Sequence, residues 1–226
     1  MKQEELKKLA GEKAVEYIED GMIVGLGTGS TVEYTLKKLG SLVREGLDIK
    51  GIPTSVHTKR IAKEEQIPLT TLDENPVIDI TIDGADEVDS NLNLIKGGGG
   101  ALVREKIVAY HSKKEIIVID DSKVVKILGI DFDLPVEVIK FGYPATIKEI
   151  EEFNCKIEPR KIMGNDLFIT DNSNYIIDCE FERIENPEEL ELSLNNIPGV
   201  VENGLFIGLA DEIIVGGKQG IITLEK

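Results

Sequence analysis

Four short segments of this 226-residue chain combine residue types that suit chemistry on a small anionic molecule. The first is Gly27-Thr28-Gly29-Ser30-Thr31, which follows an apolar run and precedes a helical pattern. Backbone N–H groups at a helix N-terminus bind anions, and the hydroxyls of Ser30 and Thr31 suit a phosphate monoester. Because the third glycine of the dinucleotide fingerprint and the P-loop lysine are missing, a small phosphorylated ligand fits better than NAD or ATP. A tight turn with a Ser or Thr helix cap explains the same residues. This segment by itself does not distinguish the structural turn from the phosphate site.

The second segment is Asp83-Gly84-Ala85-Asp86-Glu87-Val88-Asp89, which places four acids in seven residues after an apolar run. Carboxylates in such a position bind sugar hydroxyls, chelate Mg²⁺ or act as general acid and base. A solvated turn with side-chain capping is the alternative for a generic acidic run. Because these acids follow the end of a predicted strand, a functional role is favoured over a solvated turn.

The third segment runs from Lys96 through Gly97-Gly98-Gly99-Gly100 to Glu105, about one helical turn further on. Four consecutive glycines lose much chain entropy on folding, so we expect them where backbone approaches a ligand or another strand closely. A lysine can stabilise an oxyanion, and a glutamate in a dry cleft can serve as a base. Alternatively, Glu105 is a surface acid between Arg104 and Lys106. The four preceding glycines make this alternative less favoured.

The fourth segment, Asp120-Asp121-Ser122-Lys123, also follows an apolar run. Lys123 could reach a phosphate, or it is an ordinary solvated lysine. His57 and His111 have no Cys or acidic partner at metal-ligand spacing, so we expect structural or surface roles for both. The sequence therefore predicts no metal site.

Alternating apolar strands and helices must position these segments. Strands are predicted at residues 22–26, 49–53, 77–82 and 115–119, and helices at 4–18, 31–45, 55–65 and 100–110. That alternation predicts an α/β fold with a Rossmann-like, mostly parallel sheet flanked by helices. Ligands collect at the carboxyl ends of such strands, so we expect residues 27–30, 83–86 and 120–123 at one functional edge.

The pattern changes after about residue 131 and predicts a smaller inserted α+β domain of ferredoxin-like type. Strands are predicted at residues 134–141, 155–159, 166–170 and 175–181, helices at 144–153 and 187–196, and a hairpin turn at 171–174. Residues 204–215 and 220–224 are expected to return to the main sheet. The predicted domains are therefore a main α/β domain of 1–130 plus 205–226 and a small domain of 131–204.

The overall composition narrows the classes of partner. Lys and Arg number 26 against 42 Asp and Glu, a net charge of −16, which argues against nucleic acid and anionic membranes as partners. No apolar run approaches the roughly 20 residues that span a bilayer, and the charged N-terminus carries no signal-peptide pattern. Cys155 and Cys179 form no disulfide framework and are expected to be buried free thiols. These features predict a cytoplasmic protein.

Taken together, the segments resemble the motif series of type A ribose-5-phosphate isomerase. GTGST at 27–31, DGADEVD at 83–89, KGGGGALVREKIVA at 96–109 and DDSK at 120–123 match that family in order and spacing, and the resemblance runs over nearly the full length. It implies interconversion of D-ribose 5-phosphate and D-ribulose 5-phosphate in the non-oxidative pentose phosphate pathway. It also implies a homodimer or homotetramer.

The resemblance also implies roles for individual residues. Glu105 corresponds to the proton acceptor, Thr28 to Thr31 and Lys123 contact the ligand, and Lys7 lies near the phosphate. Asp83 to Asp86 and Lys96 to Gly99 line the site. The reaction moves a proton between C2 and C1 through an enediolate, which needs a base, donors for the developing negative charge and a phosphate anchor. Lys96 and the glycine N–H groups are the candidate donors, and Asp83 or Asp86 could hold hydroxyls and assist ring opening. No step needs a nicotinamide or a metal, so no cofactor is expected.

Two other classes of function remain as alternatives. The architecture also resembles the effector domains of sugar-responsive transcription regulators, but no helix-turn-helix pattern occurs in residues 1–30 and the charge opposes DNA binding. An amino-sugar phosphate deaminase or a CoA transferase of the same fold group is the second alternative. Fold similarity alone does not separate them, because function depends on the site.

Overall fold

The computed structural model describes residues 2–225, which form two compact units. The first unit comprises residues 2–85, 104–124 and 208–225, and the second comprises 86–103 and 125–207. The second unit therefore contains the predicted small domain, residues 131–204, together with a few residues on each side of it and the separate segment 86–103. The division into functional domains at 130 and 204 stays a prediction.

Strands and helices alternate over most of the described chain. The strands are β1 (Ile23–Leu26), β2 (Lys50–Pro53), β3 (Ile80–Asp83), β4 (Glu87–Val88), β5 (Leu94–Ile95), β6 (Glu115–Asp120), β7 (Leu134–Val138), β8 (Lys156–Pro159), β9 (Tyr175–Glu180), β10 (Val200–Asn203), β11 (Leu205–Phe206), β12 (Glu212–Gly217) and β13 (Gly220–Glu225). The α-helices are α1 (Gln3–Ala14), α2 (Val32–Glu45), α3 (Val56–Glu64), α4 (Leu102–Tyr110), α5 (Tyr143–Glu151) and α6 (Pro187–Asn195).

The first unit contains a six-stranded sheet in the order β13-β12-β6-β3-β1-β2. All neighbouring pairs are parallel except β12 with β13, which confirms the predicted mostly parallel α/β sheet. Every residue of β6 is buried, as expected for a parallel strand covered on both faces. The core beneath α1 and α2 is built from aliphatic side chains such as Ala10, Val24, Leu36 and Ile82.

The second unit contains a four-stranded antiparallel sheet in the order β10-β7-β9-β8. Its chain order is β7-α5-β8-β9-α6-β10, which is the ferredoxin-like arrangement that the sequence predicted. Its core joins residues of β7 and β9 to Ile150 of α5 and Leu194 of α6. The cysteines are free, with Cys179 buried as predicted and Cys155 only half-buried.

Two predicted strands differ in the structure. Residues 166–170 make only isolated bridges, such as Ile169 with Tyr175, because the hydroxyl of Thr170 accepts the backbone N–H groups of Asn172 and Asn174 and tightens the turn. Residues 204–215 do not return to the main sheet as one strand, because β11 pairs with β5 in a separate three-stranded sheet of the second unit. The N–H of Gly204 donates to the carbonyl of Pro135 at 2.8 Å and holds the chain there. Across residues 2–225, no helix is both long enough and apolar enough to cross a membrane.

Candidate active site

The turn between β1 and α2 exposes backbone at the start of a helix. Gly29 has φ +139°, a conformation that L side chains rarely adopt, and the carbonyl of Gly29 accepts the N–H of Glu33. Ser30 is exposed, and Thr31 is the residue that precedes the first helical position of α2. The N–H groups and positive dipole end of α2 therefore lie beside an exposed serine hydroxyl, which is an arrangement suited to an anion.

A cluster of four hydroxyls holds this turn from behind. The Thr28 hydroxyl donates to Ser55 at 2.8 Å, Ser55 donates to Thr58 at 3.0 Å, and Thr58 donates to the carbonyl of Gly27 at 2.8 Å. The Thr54 hydroxyl lies 2.8 Å from that of Thr28. Sequence reasoning missed Thr54, Ser55 and Thr58. The available signal was that they follow β2, the parallel neighbour of β1.

Asp83, the last residue of β3, ties the same turn to the adjacent strand. Its Oδ1 accepts the N–H of Thr28 at 2.9 Å and the N–H of Gly84 at 2.7 Å, and the residue is fully buried. A Cβ added at Gly27 would lie 2.2 Å from this oxygen, so the close approach requires glycine. The turn of residues 27–31 and the acidic segment of residues 83–89 therefore meet at Asp83.

Two lysines lie near the carboxyl ends of the strands of the first unit. Lys123 closes a short 3-10 turn after β6, where Asp120 caps the N–H of Ser122. Lys7 lies on α1, and its ammonium pairs with Glu4 at 3.1 Å. Glu4 also accepts the hydroxyl of Tyr34 in the first turn of α2 at 2.7 Å, which connects Lys7 to the start of that helix.

The structure places α1 against the end of β6 as well. The side-chain amide of Gln3 donates to Asp120 at 3.4 Å, so the first turns of α1 lie beside the residues that precede Lys123. Lys7 follows one helical turn after Gln3. Lys7 and Lys123 therefore both lie near the carboxyl ends of the strands of the first unit.

Glu105 lies in the first turn of α4 and is 3% exposed. Beyond the end of α4, the Ser112 hydroxyl lies 2.7 Å from that of Thr81 on β3, so α4 ends near the start of that strand. α4 ends at Tyr110, so Glu105 lies five helical steps, about 7.5 Å, before that end. Because the chain must return from the carboxyl end of β3 to the start of its parallel neighbour β6, α4 runs back along the strands and Glu105 lies toward their carboxyl ends. One turn further along α4, Val108 packs on β1, because a Cβ at Gly25 would approach it to 2.8 Å.

Other predicted residues belong to the second unit. Asp86 accepts the N–H of Gly98 at 2.8 Å, and its own N–H donates to Ile95. Lys96 is 2% exposed, and its ammonium lies 5.3 Å from the ring centroid of Phe206. The face of an aromatic ring attracts a lysine ammonium at this distance.

The remaining acids of the 83–89 segment support loops. Glu87 accepts the N–H groups of Gly129 at 2.6 Å and Asp131 at 2.7 Å. Burial raises the pKa of Glu87, and those backbone N–H groups oppose the rise. Asp89 accepts the N–H groups of Asn91 and Asn93. Glu87 and Asp89 are thus turn-supporting residues.

Comparison with known proteins identifies the family. The profile of Ribose 5-phosphate isomerase A (phosphoriboisomerase A) matches residues 50–220. The chain is 52% identical to ribose-5-phosphate isomerase A of Bacillus mycoides, over 96% of this chain and 97% of the relative. The chain belongs to the ribose 5-phosphate isomerase A family.

Further relatives match over the full length of this isomerase. Ribose-5-phosphate isomerase A of Pyrococcus horikoshii is 47% identical over 100% of both chains. A solved structure of D-ribose-5-phosphate isomerase in complex with phospho-erythronic acid is 47% identical, covers 100% of both chains and superposes with a TM-score of 0.97. The fold predicted from the sequence is therefore that of the isomerase family.

The predicted site residues of the isomerase divide between the two units. The first unit brings Thr28, Gly29, Ser30, Thr31, Asp83, Gly84, Ala85, Glu105, Lys123 and Lys7 to the carboxyl ends of its strands or to the chain that follows them. The second unit holds Asp86, Lys96, Gly97, Gly98 and Gly99. In the described part of the chain, no cluster of three or more His, Cys, Asp or Glu side chains has the arrangement of a metal site.

Proposed function

We propose that this enzyme interconverts D-ribose 5-phosphate and D-ribulose 5-phosphate through an enediolate. The family membership gives the reaction, and the observation that carries the mechanism is the position of Glu105. A buried carboxylate toward the carboxyl edge of the sheet, in the unit that also carries the anion-type turn, is suited to move a proton within a phosphorylated sugar.

In the proposed reaction Glu105 acts as the base. Its carboxylate takes the proton from C2 of the open-chain aldose, and the electron pair of the C–H bond forms the C1–C2 double bond while O1 gains negative charge. The carboxyl then returns the proton to C1, and the hydroxyl proton passes from O2 to O1. The ketose carbonyl forms at C2. Atoms and electrons balance without an oxidant, and one carboxylate serves both half-reactions.

The proposed phosphate anchor is the turn after β1 with two lysines. The hydroxyls of Ser30 and Thr31, the N–H groups that begin α2, and the ammonium groups of Lys7 and Lys123 supply hydrogen bonds and positive charge. Binding a phosphate remote from C1 and C2 orients the reacting carbons. Thr28 and Gly29 shape the turn in this proposal.

The second set of proposed roles concerns charge on the sugar oxygens. Lys96 and the N–H groups of Gly97 to Gly99 are proposed donors to the enediolate oxygens, and preorganised donors of this kind stabilise the transition state by several kcal/mol, about 3 for one donor. The chain from Asp83 through Gly84 and Ala85 to Asp86 is proposed to hold sugar hydroxyls and assist ring opening. Phospho-erythronic acid, which the related isomerase structure holds, combines a phosphate with a planar carboxylate and so resembles such an intermediate.

The chain is 47–52% identical to ribose-5-phosphate isomerases over nearly its full length. This similarity disfavours the alternative functions, a sugar-sensing module and a deaminase or CoA transferase. We also propose that the chain forms a homodimer or homotetramer, as the family resemblance implies. Light scattering on the purified protein tests this: two or four chain masses are expected, and a single chain mass at micromolar concentration contradicts it.

The activity is tested by incubating the purified protein with D-ribose 5-phosphate and measuring D-ribulose 5-phosphate. Because the proposed steps use only side chains and backbone, turnover is expected to survive EDTA. Release of ammonia from an amino-sugar phosphate without ribose 5-phosphate turnover would support the deaminase alternative and overturn the proposal.

A further inference from the structure

Arg160 of the second unit binds the glycine segment through its backbone carbonyls. One terminal nitrogen of the guanidinium donates to the carbonyl of Gly97 at 2.9 Å and to that of Gly98 at 3.1 Å. Its other two nitrogens donate to both carboxylate oxygens of Asp178, at 2.8 and 2.5 Å. The guanidinium is therefore fixed by four hydrogen bonds, two of them in the strong bidentate geometry.

The element that carries Arg160 is itself anchored. The N–H of Arg160 donates to Ile176 of β9 at 2.9 Å, and its carbonyl accepts the N–H of Phe168 at 2.8 Å. The ring of Phe168 lies under Gly100, since a Cβ at Gly100 would approach the ring to 2.5 Å. Arg160 thus extends from a strand-paired backbone, and its side chain is 15% exposed.

Because of the geometry of the peptide bond, the contacts of Arg160 with these carbonyls also determine where the N–H groups on the opposite side of the glycine segment point. The described peptide bonds are trans, so each carbonyl and the N–H of the next residue point in opposite directions. Holding the carbonyls of Gly97 and Gly98 toward Arg160 directs the N–H groups of Gly98 and Gly99 away from it. The N–H of Gly98 meets Asp86 at 2.8 Å, as this geometry requires.

We propose that Arg160, held by Asp178, is a positioning residue that aims the Gly98 and Gly99 N–H groups: Gly98 at Asp86, and Gly99 at the enediolate oxygen. This inference rests on the proposed function. Glycine residues have little intrinsic preference for one peptide orientation, so hydrogen bonds must fix these donors in advance. The N–H of Gly100 donates to the carbonyl of Gly97 at 2.9 Å, and Arg160 adds a second bond to that carbonyl and a bond to the carbonyl of Gly98. Arg160 acts through the backbone and makes no contact with the substrate in this proposal.

The test compares Arg160→Met, Arg160→Lys and Asp178→Asn with the wild type. We expect kcat of Arg160→Met to fall on the order of 10- to 100-fold, because a misaimed group near the reacting atoms has an effect of that size. Affinity for phospho-erythronic acid should fall by a similar factor, and affinity for inorganic phosphate should stay within about twofold, since the proposed anchor lies in the first unit. Arg160→Lys should recover only part of kcat, because an ammonium lacks the planar fork.

Arg44 offers a matched control. It donates to the carbonyl of Glu65 at 3.0 Å and pairs with the same residue's carboxylate at 3.3 Å, but it belongs to α2 of the first unit, at the end remote from the anion-type turn. Arg44→Met should therefore keep wild-type kcat and wild-type affinity for both ligands.

Three outcomes would overturn the inference: wild-type kcat in Arg160→Met, equal losses of affinity for inorganic phosphate and phospho-erythronic acid, or full recovery in Arg160→Lys. If Arg160→Met does not fold, Asp178→Asn and Arg160→Lys give the same comparison. Failure of the proposed function is distinguishable, because it would appear as a wild-type enzyme that does not isomerise ribose 5-phosphate. In that case the affinities for phospho-erythronic acid and inorganic phosphate still test whether Arg160 positions the glycine segment.

Discussion

The carboxylate of Asp83 accepts the backbone N–H of Thr28 at 2.9 Å. This bond joins the end of β3 to the turn after β1, two places that are 55 residues apart in the sequence. The proposed phosphate-binding turn and the proposed hydroxyl-binding acids are consequently one piece of structure. A change at either end is expected to affect the other.

Replacing Asp83 by Ala should lower both stability and turnover. The carboxylate is buried and accepts two N–H groups, and a hydrogen bond to a charged group contributes about 1.5–3 kcal/mol. We expect the free energy of unfolding to fall by about 3 kcal/mol. Urea titration of Asp83→Ala, with the exposed Asp73→Ala as control, measures it. Equal unfolding midpoints for the two variants would show that this bond does not hold the turn.

The hydroxyl cluster predicts a contrast between two substitutions at Thr58. Thr58→Val keeps the shape but leaves the carbonyl of Gly27 and two neighbouring hydroxyls short of a partner, which costs about 1–3 kcal/mol. It should also raise KM for ribose 5-phosphate, because the turn loses its support. Thr58→Ser keeps the hydroxyl, loses about 1 kcal/mol for the methyl group and should keep KM. Thermal unfolding and steady-state kinetics check both; the same KM in both variants would contradict the role of the cluster.

Two glycines of the same region should respond differently to alanine. A Cβ at Gly27 would lie 2.4 Å from Cγ and 2.5 Å from Cα of Asp83, so backbone must move, whereas a Cβ at Gly84 meets its nearest atom at 3.7 Å. We expect Gly27→Ala to lower the free energy of unfolding by about 3 kcal/mol or more, and Gly84→Ala by less than about 1. Differential scanning calorimetry distinguishes them. Equal midpoints for the two variants would argue against the close approach.

Asp79 predicts a pH dependence of stability. The Lys113 ammonium at 2.7 Å and the N–H of Ile23 at 2.8 Å hold the pKa of this carboxyl below its ordinary value of 3.8. Because the folded pKa is the lower one, the stabilisation is complete above the ordinary value and is lost as pH falls through the folded value.

The corresponding variant is Asp79→Asn. At pH 7 it should be less stable than the wild type by about 1 kcal/mol, since the pair is partly exposed. The difference should shrink as the pH falls below 3.8. Urea unfolding of both proteins from pH 7 to pH 2.5 measures it. A difference that stays constant over this range would contradict the assigned cause.

Local pattern was enough to predict most of the fold. The apolar runs of β1, β3 and β6 and the alternation with α2 and α4 gave a mostly parallel sheet, because burial on both faces leaves a continuous apolar signal. β11 was assigned wrongly, because its two apolar residues look like the start of β12. Its partner is β5, which is set by a long-range approach of the chain at Gly204.

The strand pattern was enough to predict the sheet edge where the candidate site lies, but it did not predict which contacts the residues there make. The acids of the 83–89 segment look alike in the sequence, but Glu87 and Asp89 support loops through bonds to residues such as Gly129 and Asn93. Arg160 lies 63 residues from Gly97, and no local pattern connects them. Such contacts come from tertiary packing, so a single sequence does not reveal them.

The role of Glu105 is tested most directly by the Glu105→Gln variant, which keeps the size of the side chain and removes the base. We expect kcat for ribose 5-phosphate to fall about 10²- to 10⁴-fold, while circular dichroism and affinity for inorganic phosphate stay at wild-type values. Glu64→Gln on the exposed face of α3 is the control and should keep full activity. Near wild-type turnover in Glu105→Gln would contradict the assignment of Glu105 as the base.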